Sequence, residues 1–526
     1  MRTAPFPVRH APNGMVCAVD HLAAEAGVAM LRAGGTAADA AVATSAVLAV
    51  TTQYACGMGG DLFALVHDGS ARPACLNASG RAGSGADPDR LRAEGAAAMP
   101  WHGDIRSVPV PGCVDGWVAL HTRFGALPLA DVLAPAVDYA EHGFPASSLL
   151  VRAVAMIEAV PGAEDYTGAA LRPGARVRRP GVARALRDIA AGGRDAFYRG
   201  EFGTGLLALG AGEYTPGDLA RPHADWMDPI SVEAWGHRIW SVPPNSQGYV
   251  TLSAAWLAAH LALPEETEDP AWAHLLVEAV RQASFDRRDV LHDAADGPGL
   301  VAPGRLQPRL GGIDPDRAGD PVTPRMPSGT IHLTSVDSRR MGVSLIQSNA
   351  AGWGSHIVVP GVGIFLQNRG IGFSLEPGHA AEYGPGRRPP HTLAPALVTG
   401  GEDLAMVIGT EGGDTQPQVL LQLLARMLRG GETPEDAMPA PRWVLQSVAT
   451  DQRFGTWEHG AGVVVRLEES APTAWEAGLR DRGHQVEWAP DGRGFGHAQM
   501  IRVEEGGDVL GGASDPRFRT GATVGY

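Results

Sequence analysis

Lysine is absent from this 526-residue chain, and all 43 of its basic residues are arginine. That absence removes a Schiff-base lysine, a pyridoxal phosphate enzyme, a Walker-type phosphate loop and a Ser-Lys dyad together. Cysteine is scarce. Cys17, Cys56, Cys75 and Cys113 all fall in the first quarter with no C-x-x-C pair, which points to a reducing compartment rather than a disulfide scaffold. No apolar run is long enough to cross a bilayer, and the longest, Ala40 to Val50, contains Thr44 and Ser45. Met1 to Asp20 carries prolines, Arg9 and His10 where a signal peptide needs an unbroken apolar stretch. A cytoplasmic location is therefore the expectation. No serine sits in a G-x-S-x-G elbow, and the scattered histidines form no H-E-x-x-H, so serine hydrolases of the α/β type and metal-dependent amidases lack their signatures. No metal and no cofactor is expected. Surplus positive charge is missing too. The 58 acidic residues against 43 basic ones leave a net charge of −15, which argues against nucleic acid or an anionic membrane as partner.

What remains is an ordinary globular composition, 44% hydrophobic and 19% charged, with length enough for two or more domains and a large core. Asp20 to Ala33 has helical spacing at Leu22, Ala26, Ala29 and Met30 and stops at Gly34-Gly35. Thr36 with Asp39 predicts an N-terminal cap for a second helix through Val50. A further helix is expected from Trp272 to Leu291, with Glu278, Arg281, Asp286, Arg287, Arg288 and Asp289 mostly on a solvated face. Asp296 to Gly329 is rich in Pro and Gly, lacks a hydrophobic period and reads as exposed loop. Beyond it come a helix at Pro417 to Leu428 and strands near Gly462–Val465 and Met500–Val503. Strand hairpins with intervening helices predict helices packed on stacked sheets.

One junction carries chemistry. In Pro327-Ser328-Gly329-Thr330-Ile331-His332, the glycine-ended loop becomes a strand that runs to Val336. A polar break at Asp337 to Arg340 leads to a second strand, Val343 to Asn349, and the two make a β-hairpin. A cut at Gly329-Thr330 would give Thr330 a free α-amine beside its own hydroxyl, basic enough near neutral pH to take the hydroxyl proton. That is the chemistry of an N-terminal nucleophile hydrolase.

Motifs on either side of this junction fall in a characteristic order. Gly34 to Ala43, Gly57-Met58-Gly59-Gly60-Asp61-Leu62-Phe63, Ser107 to Gly112 and Pro243-Pro244-Asn245-Ser246-Gln247-Gly248 precede it. Leu366-Gln367-Asn368-Arg369, Arg388 to Leu393, Gly412-Gly413-Asp414-Thr415-Gln416, and Gly512 to Arg517 follow it, with Gly525-Tyr526 at the end. In this order and spacing the chain resembles the γ-glutamyltransferase family nearly end to end. The resemblance implies an α+β fold, a four-layer αββα sandwich with two central antiparallel sheets. It also implies a proenzyme that cuts itself between Gly329 and Thr330. The products would be a large subunit, residues 1–329, and a small one, residues 330–526, which stay together as a heterodimer. A homodimer of such heterodimers is left open.

The resemblance also places the site. Thr330 is the implied nucleophile, and Gly412 and Gly413 match the family's oxyanion-hole glycines, ahead of a helix start that adds positive potential. Arg81 matches an arginine that clamps the substrate's α-carboxylate, a task suited to a guanidinium fork. Asn349 matches a substrate-contacting asparagine, and His391-Thr392 stand where the family has two serines. His332 reads as a structural histidine. Where the family commonly has a hydroxyl two residues before the asparagine, this chain has Gln347, with Ser348 beside it, and which of them orients Thr330 is open. In transferases acting on glutathione an aspartate pairs with the glutamyl α-ammonium, and here Gly372 occupies its place. Arg369 adds a second positive charge nearby. The expected substrate is a small acidic amide: a γ-glutamyl compound or a desamino analogue, with an oxamate-like or glutaryl-like monoamide as the alternative. Hydrolysis and transfer both stay open. A non-catalytic binding protein of this fold is disfavoured, because the threonine and both glycines remain.

Overall fold

Strands organise the chain, in a computed structural model that describes residues 8–168, 171–319, 322–323, 329–447, 458–459, 463–489 and 494–526. Two seven-stranded sheets form. One runs, edge to edge, Ala522–Gly525, Met15–Ala18, Gly329–Val336, Gly342–Ala350, Asp61–His67, Ala74–Ala78 and Asp225–Met227. The other runs Arg9–Ala11, Leu510–Ser514, Ala498–Val503, Asp403–Thr410, Ala396–Gly400, His237–Ser241 and Ile230–Ala234. Every pairing within both sheets is antiparallel.

Three apolar cores separate four layers, so the αββα sandwich implied by the motifs is the architecture found. Leu62, Ala64, Val66, Ile331 and Leu333 pack outward against helices that include His21–Arg32 and Ala37–Thr51. Phe63, Leu65, Ile346 and Val407 fill the space between the sheets. Met406 and Ile408 join helices Gly248–Ala259, Pro270–Ser284 and Gln416–Leu424 on the far side. Alternate residues of one strand thus feed different cores, because side chains on a strand point to opposite faces. With both faces covered, the strand Asp61–His67 is buried at all seven positions and shows no polar alternation.

Local rules set the helix starts. Asp20 caps His21–Arg32 by accepting from the Leu22 amide, and Thr36 with Asp39 forms the expected capping box on Ala37–Thr51. The Ala37 amide also donates to Asp337 Oδ2 at 3.0 Å, which ties that helix to the turn of the hairpin. No helix among the described residues is long and apolar enough to cross a membrane.

Three expectations need correction. The helix expected from Trp272 to Leu291 is Pro270–Ser284 followed by the short Arg287–Val290, and Glu278, Arg281 and Arg287 on it are buried rather than solvated. Arg281 pairs with Glu278 on the same helix, but Arg287 pairs with Asp414 and Glu278 also accepts from the Gly319 amide, partners in distant segments that periodicity cannot see. The stretch from Asp296 includes helices Gly297–Leu300 and Pro303–Leu310, anchored by buried Leu300 and Leu306. The helix expected at Pro417 to Leu428 spans Gln416–Leu424 and continues as a π-turn, Ala425–Arg429. Residues 1–7, Pro327, Ser328 and Gly462 lie outside the described residues.

The C-terminal motif has a structural role. Burial alone would raise the Asp515 carboxyl, but Arg442 at 2.7 Å and Arg517 at 3.2 Å hold it down at about 2. A carboxyl depressed on folding adds stability above its unfolded value, near ~4, and that stability is lost as pH falls toward the folded value. The contribution is about 2 kcal/mol. Asp515→Asn also strands the buried Arg442, so it should cost about 3 kcal/mol or more at pH 7. Urea titrations at pH 7 and pH 3 should show the variant's deficit shrinking at the lower pH.

Candidate active site

Thr330 lies on the face of its strand that meets the second sheet, and register decides its neighbours. Thr330 pairs with Ser348, which pairs with Asp61 on the next strand, so three polar side chains form one row across three strands. The register set at the turn, where Val336 faces Gly342, runs unbroken to place Ser348, not Gln347, opposite Thr330, and the irregularity between Gly329 and Thr330 changes only the partner of Gly329, which is Ala350. Gln347 points to the other face and bonds Ser45 and Cys113. The question left open by the sequence thus has a geometric answer.

Ser348 is the hub. Its Oγ lies 3.0 Å from Thr330 Oγ1 and donates to the Gly329 carbonyl at 2.7 Å. The Ala350 amide donates to it at 2.8 Å and Arg369 Nη2 at 3.0 Å. A hydroxyl has two lone pairs, so these donors engage both and leave the Ser348 proton for Gly329 O or Thr330 Oγ1.

Arg369 is held in turn. Its Nε donates to Asp61 Oδ2 at 2.9 Å and its Nη1 to Thr392 Oγ1 at 3.1 Å, and neither Arg369 nor Asp61 has any side-chain exposure. Burial would raise the Asp61 carboxyl, yet Arg369 and His391 together hold it below its ordinary value. The expectation that Arg369 offers substrate a second positive charge is therefore corrected. Its charge is matched by Asp61, a residue 308 positions away in sequence.

His391 donates from Nε2 to Asp61 Oδ2 at 2.9 Å, while its Nδ1 accepts from the Leu393 amide. Burial, with Arg369 adding, pushes this imidazole down to about 4, so it is neutral and both nitrogens are committed. It is a positioning group, not a base. His332, pushed down to about 3 by burial, bonds Ser344 Oγ, which donates to Ile408 O on the second sheet. It braces the sheets, as its reading from sequence held.

Gly412 and Gly413 follow the strand Asp403–Thr410. Ile408 O meets Ser344 and Gly409 faces His332, so the strand exits toward the Thr330 end of the hairpin. Both glycines have left-handed φ, 131° and 59°, which a side chain would strain. The Gly412 carbonyl accepts from Thr415 Oγ1 and that of Gly413 from Gln247 Nε2. With the carbonyls committed, the amides are the groups left to face a ligand. Gln247 Nε2 also bonds Thr392 O, which closes a chain of contacts from Gly413 through Thr392 and Arg369 to Ser348 and Thr330.

The remaining candidates are less open than their motifs suggest. Arg81 Nη2 bonds Asp225 Oδ2 at 2.7 Å and its Nη1 bonds Gly386 O, with 22% of the side chain exposed. Any incoming carboxylate must compete with Asp225, which Arg388 also holds. Asn349 gives its Nδ2 to Gln53 O, and its buried Oδ1 has no hydrogen-bond partner among the described residues. At Gly372 an added Cβ would meet Pro390 O at 2.6 Å, so the position is closed to any side chain unless the backbone moves.

A model of the gamma-glutamyltranspeptidase family matches residues 23–525. The chain belongs to the γ-glutamyltranspeptidase family. Within this family it is 35% identical to the oxamate amidohydrolase proenzyme of Klebsiella pneumoniae over 536 residues, 98% of each chain. It is also 35% identical to the glutathione hydrolase-like YwrD proenzyme of Bacillus subtilis, over 97% of this chain and 98% of that one. The crystal structure of cephalosporin acylase from Bacillus halodurans superposes with a TM-score of 0.89 at 32% identity, covering 100% of this chain and 99% of the other. The γ-glutamyltranspeptidase-family chain is accordingly an enzyme with an N-terminal nucleophile fold.

Sequence reasoning passed over two members of the site. Asp61 had a visible signal, an acid opening an otherwise apolar strand, since a buried carboxylate needs a cation. Gln247 sat in a motif without a role, whereas Ser348 was weighed beside Gln347 and needed the register to decide between them. For the oxyanion loop, Gly413→Val should lower kcat by about a hundredfold or more in folded, processed protein. An unchanged kcat would place the oxyanion donors elsewhere.

Proposed function

We propose that this chain is a self-processing threonine amidohydrolase whose preferred acyl donor is a small acidic amide without a free α-amine, such as a dicarboxylate monoamide. The observation that carries the first half is Ser348, whose hydroxyl touches both Thr330 Oγ1 and the Gly329 carbonyl oxygen. In maturation Thr330 Oγ1 attacks the Gly329 carbonyl carbon and the C–N bond breaks. The resulting ester is hydrolysed by water to a Gly329 carboxylate and a free Thr330 α-amine. Ser348, donating to the carbonyl oxygen, stabilises charge as it develops there. Once Gly329 has left, the same proton is free to turn to Thr330 Oγ1.

In turnover the Thr330 α-amine takes the proton from Oγ1, which attacks the substrate amide carbon. The oxyanion is met by the amides of Gly412 and Gly413, and the α-ammonium returns the proton to the leaving amine. Water then hydrolyses the acyl ester, or an amine acceptor takes the acyl group. The substrate preference rests on Gly372, which leaves no acid where a glutamyl ammonium would need one. The resemblance to an oxamate amidohydrolase is consistent with that preference. A second reading, γ-glutamyl hydrolysis, is favoured by Glu411, an acid directly before Gly412 whose carboxylate lies 2.7 Å from His497 Nδ1.

Two outcomes are expected. Wild-type protein should run as fragments 1–329 and 330–526 with Thr330 as a new N-terminus, Thr330→Ala should stay one chain, and Ser348→Ala should process at least tenfold more slowly. A fully active, uncut wild-type chain would refute the nucleophile assignment. Second, kcat/KM for a glutaryl anilide should equal or exceed that for the γ-glutamyl anilide, because an unpaired ammonium is costly to desolvate. A preference for the γ-glutamyl donor by tenfold, about 1.4 kcal/mol, that Glu411→Gln abolishes would establish the second reading instead.

A further inference from the structure

Three potential metal ligands converge in the outer helical layer of the second sheet. His274 and Glu278 stand one turn apart on the helix Pro270–Ser284, so they share a face. His484 follows the helix Thr473–Asp481, placed by a turn in which Gly483 has a left-handed φ of 93°. All three are buried, and their ligand atoms lie within 4.8 Å of one another.

The hydrogen bonds fix how each group would coordinate. His274 Nε2 donates to the Asp314 carbonyl at 2.8 Å, so its Nδ1 lone pair is free to face His484 Nε2, 2.8 Å away. A ring nitrogen held by a backbone carbonyl while the other faces inward is the usual arrangement behind a metal-bound histidine. Glu278 Oε1 is 3.8 Å from His484 Nε2. Arg281 and the Gly319 amide donate to the two Glu278 oxygens, but a carboxylate has about four lone-pair positions, so capacity for a metal remains. Ligand atoms around tetrahedral zinc at bond lengths of about 2.0 Å stand roughly 3.3 Å apart, so binding requires the two rings to part by about half an ångström. His484 must also carry its proton on Nδ1, a tautomer change with no net proton released.

We propose that His274, Glu278 and His484 form a structural site for one zinc-class divalent ion, with water as fourth ligand, that staples the two halves of the enzyme. His274 and Glu278 lie before Gly329 and His484 after it, and the Asp314 and Gly319 contacts fasten the segment approaching the cleavage point. The stapling role rests on the processing reading above; the site itself does not. The ligand set, two imidazoles and a carboxylate, suits zinc or cobalt better than magnesium or calcium.

The test uses untagged protein, wild-type and Thr330→Ala, purified without chelator. Elemental analysis should find about one zinc per chain in both, and exchange to Co2+ should give a tetrahedral visible spectrum at one equivalent. His484→Gln and Glu278→Gln should lose the spectrum, whereas His142→Ala, an exposed control, should keep it. Chelator should lower the Tm of wild type by about 5 °C or more, and leave His484→Gln unmoved. Should either variant fail to fold, the wild-type stoichiometry and spectrum decide alone. Folded, active wild type that contains no metal and gives neither a Co2+ spectrum nor a Tm rise on adding zinc overturns the site and leaves a hydrogen-bonded latch. Metal in an uncut wild-type chain would keep the site and remove the processing reading.

Discussion

Two opposite charges with no exposure to water, Asp61 and Arg369, meet 2.9 Å apart behind Thr330. Ser348, Thr392 and His391 are each held by one of the two. Burying such a pair costs desolvation that its mutual attraction offsets only with good geometry and further hydrogen bonds. Here Arg369 makes three bonds in different directions, so its fork fixes the distances between Asp61, Ser348 and Thr392, which come from three separate segments. Removing either charge alone would leave the other buried and unpaired, at about 3–5 kcal/mol. The pair is therefore better understood as a positioning device than as a source of stability.

The same pair shows where linear reading stops. The motifs located Thr330, the glycine loop, His391 and Thr392 because each lies in a short run whose residue types are unusual together. Chain contacts over hundreds of residues were not legible. Arg369 looked like a charge awaiting substrate because its acid is 308 residues upstream. Arg287 looked like part of a wet helix face, although it pairs with Asp414 in the interior. The layer order was legible only through resemblance, since a sheet covered on both sides hides the period of two that would otherwise betray its strands. The choice between Gln347 and Ser348 turned on the register of the hairpin, in which Val336 faces Gly342 and Thr330 faces Ser348, and one residue is the shift that sends a side chain to the opposite face.

Sheet order constrains what a cut at Gly329 can do. The strand that begins at Gly329 lies between Met15–Ala18 and Gly342–Ala350, and the latter pairs onward with Asp61–His67. Strands before and after the junction therefore alternate within one sheet and share the same apolar cores. Severing one peptide bond removes no ladder and exposes no core. The two products are bound by the same interactions that fold the precursor, so their separation would require unfolding.

The closeness of Gly329 to its neighbour explains why glycine stands there. An added Cβ would lie 3.1 Å from the Ala351 carbonyl oxygen and 3.2 Å from Gly352 Cα, tight against backbone that cannot swing away. That backbone is itself strained. Ala350, Trp353 and His356 have φ values of 74°, 58° and 59°, a left-handed conformation that costs residues with side chains of the order of 1 kcal/mol or more each. The Asn368 side chain holds the Ala351 amide, and the Tyr54 carbonyl holds that of Trp353. Ser348 Oγ reaches the Gly329 carbonyl, and the Ala350 amide at the start of this loop donates to the same Oγ. The Gly329 carbonyl is thus held by a hydroxyl that Arg369 and the Ala350 amide together fix in place.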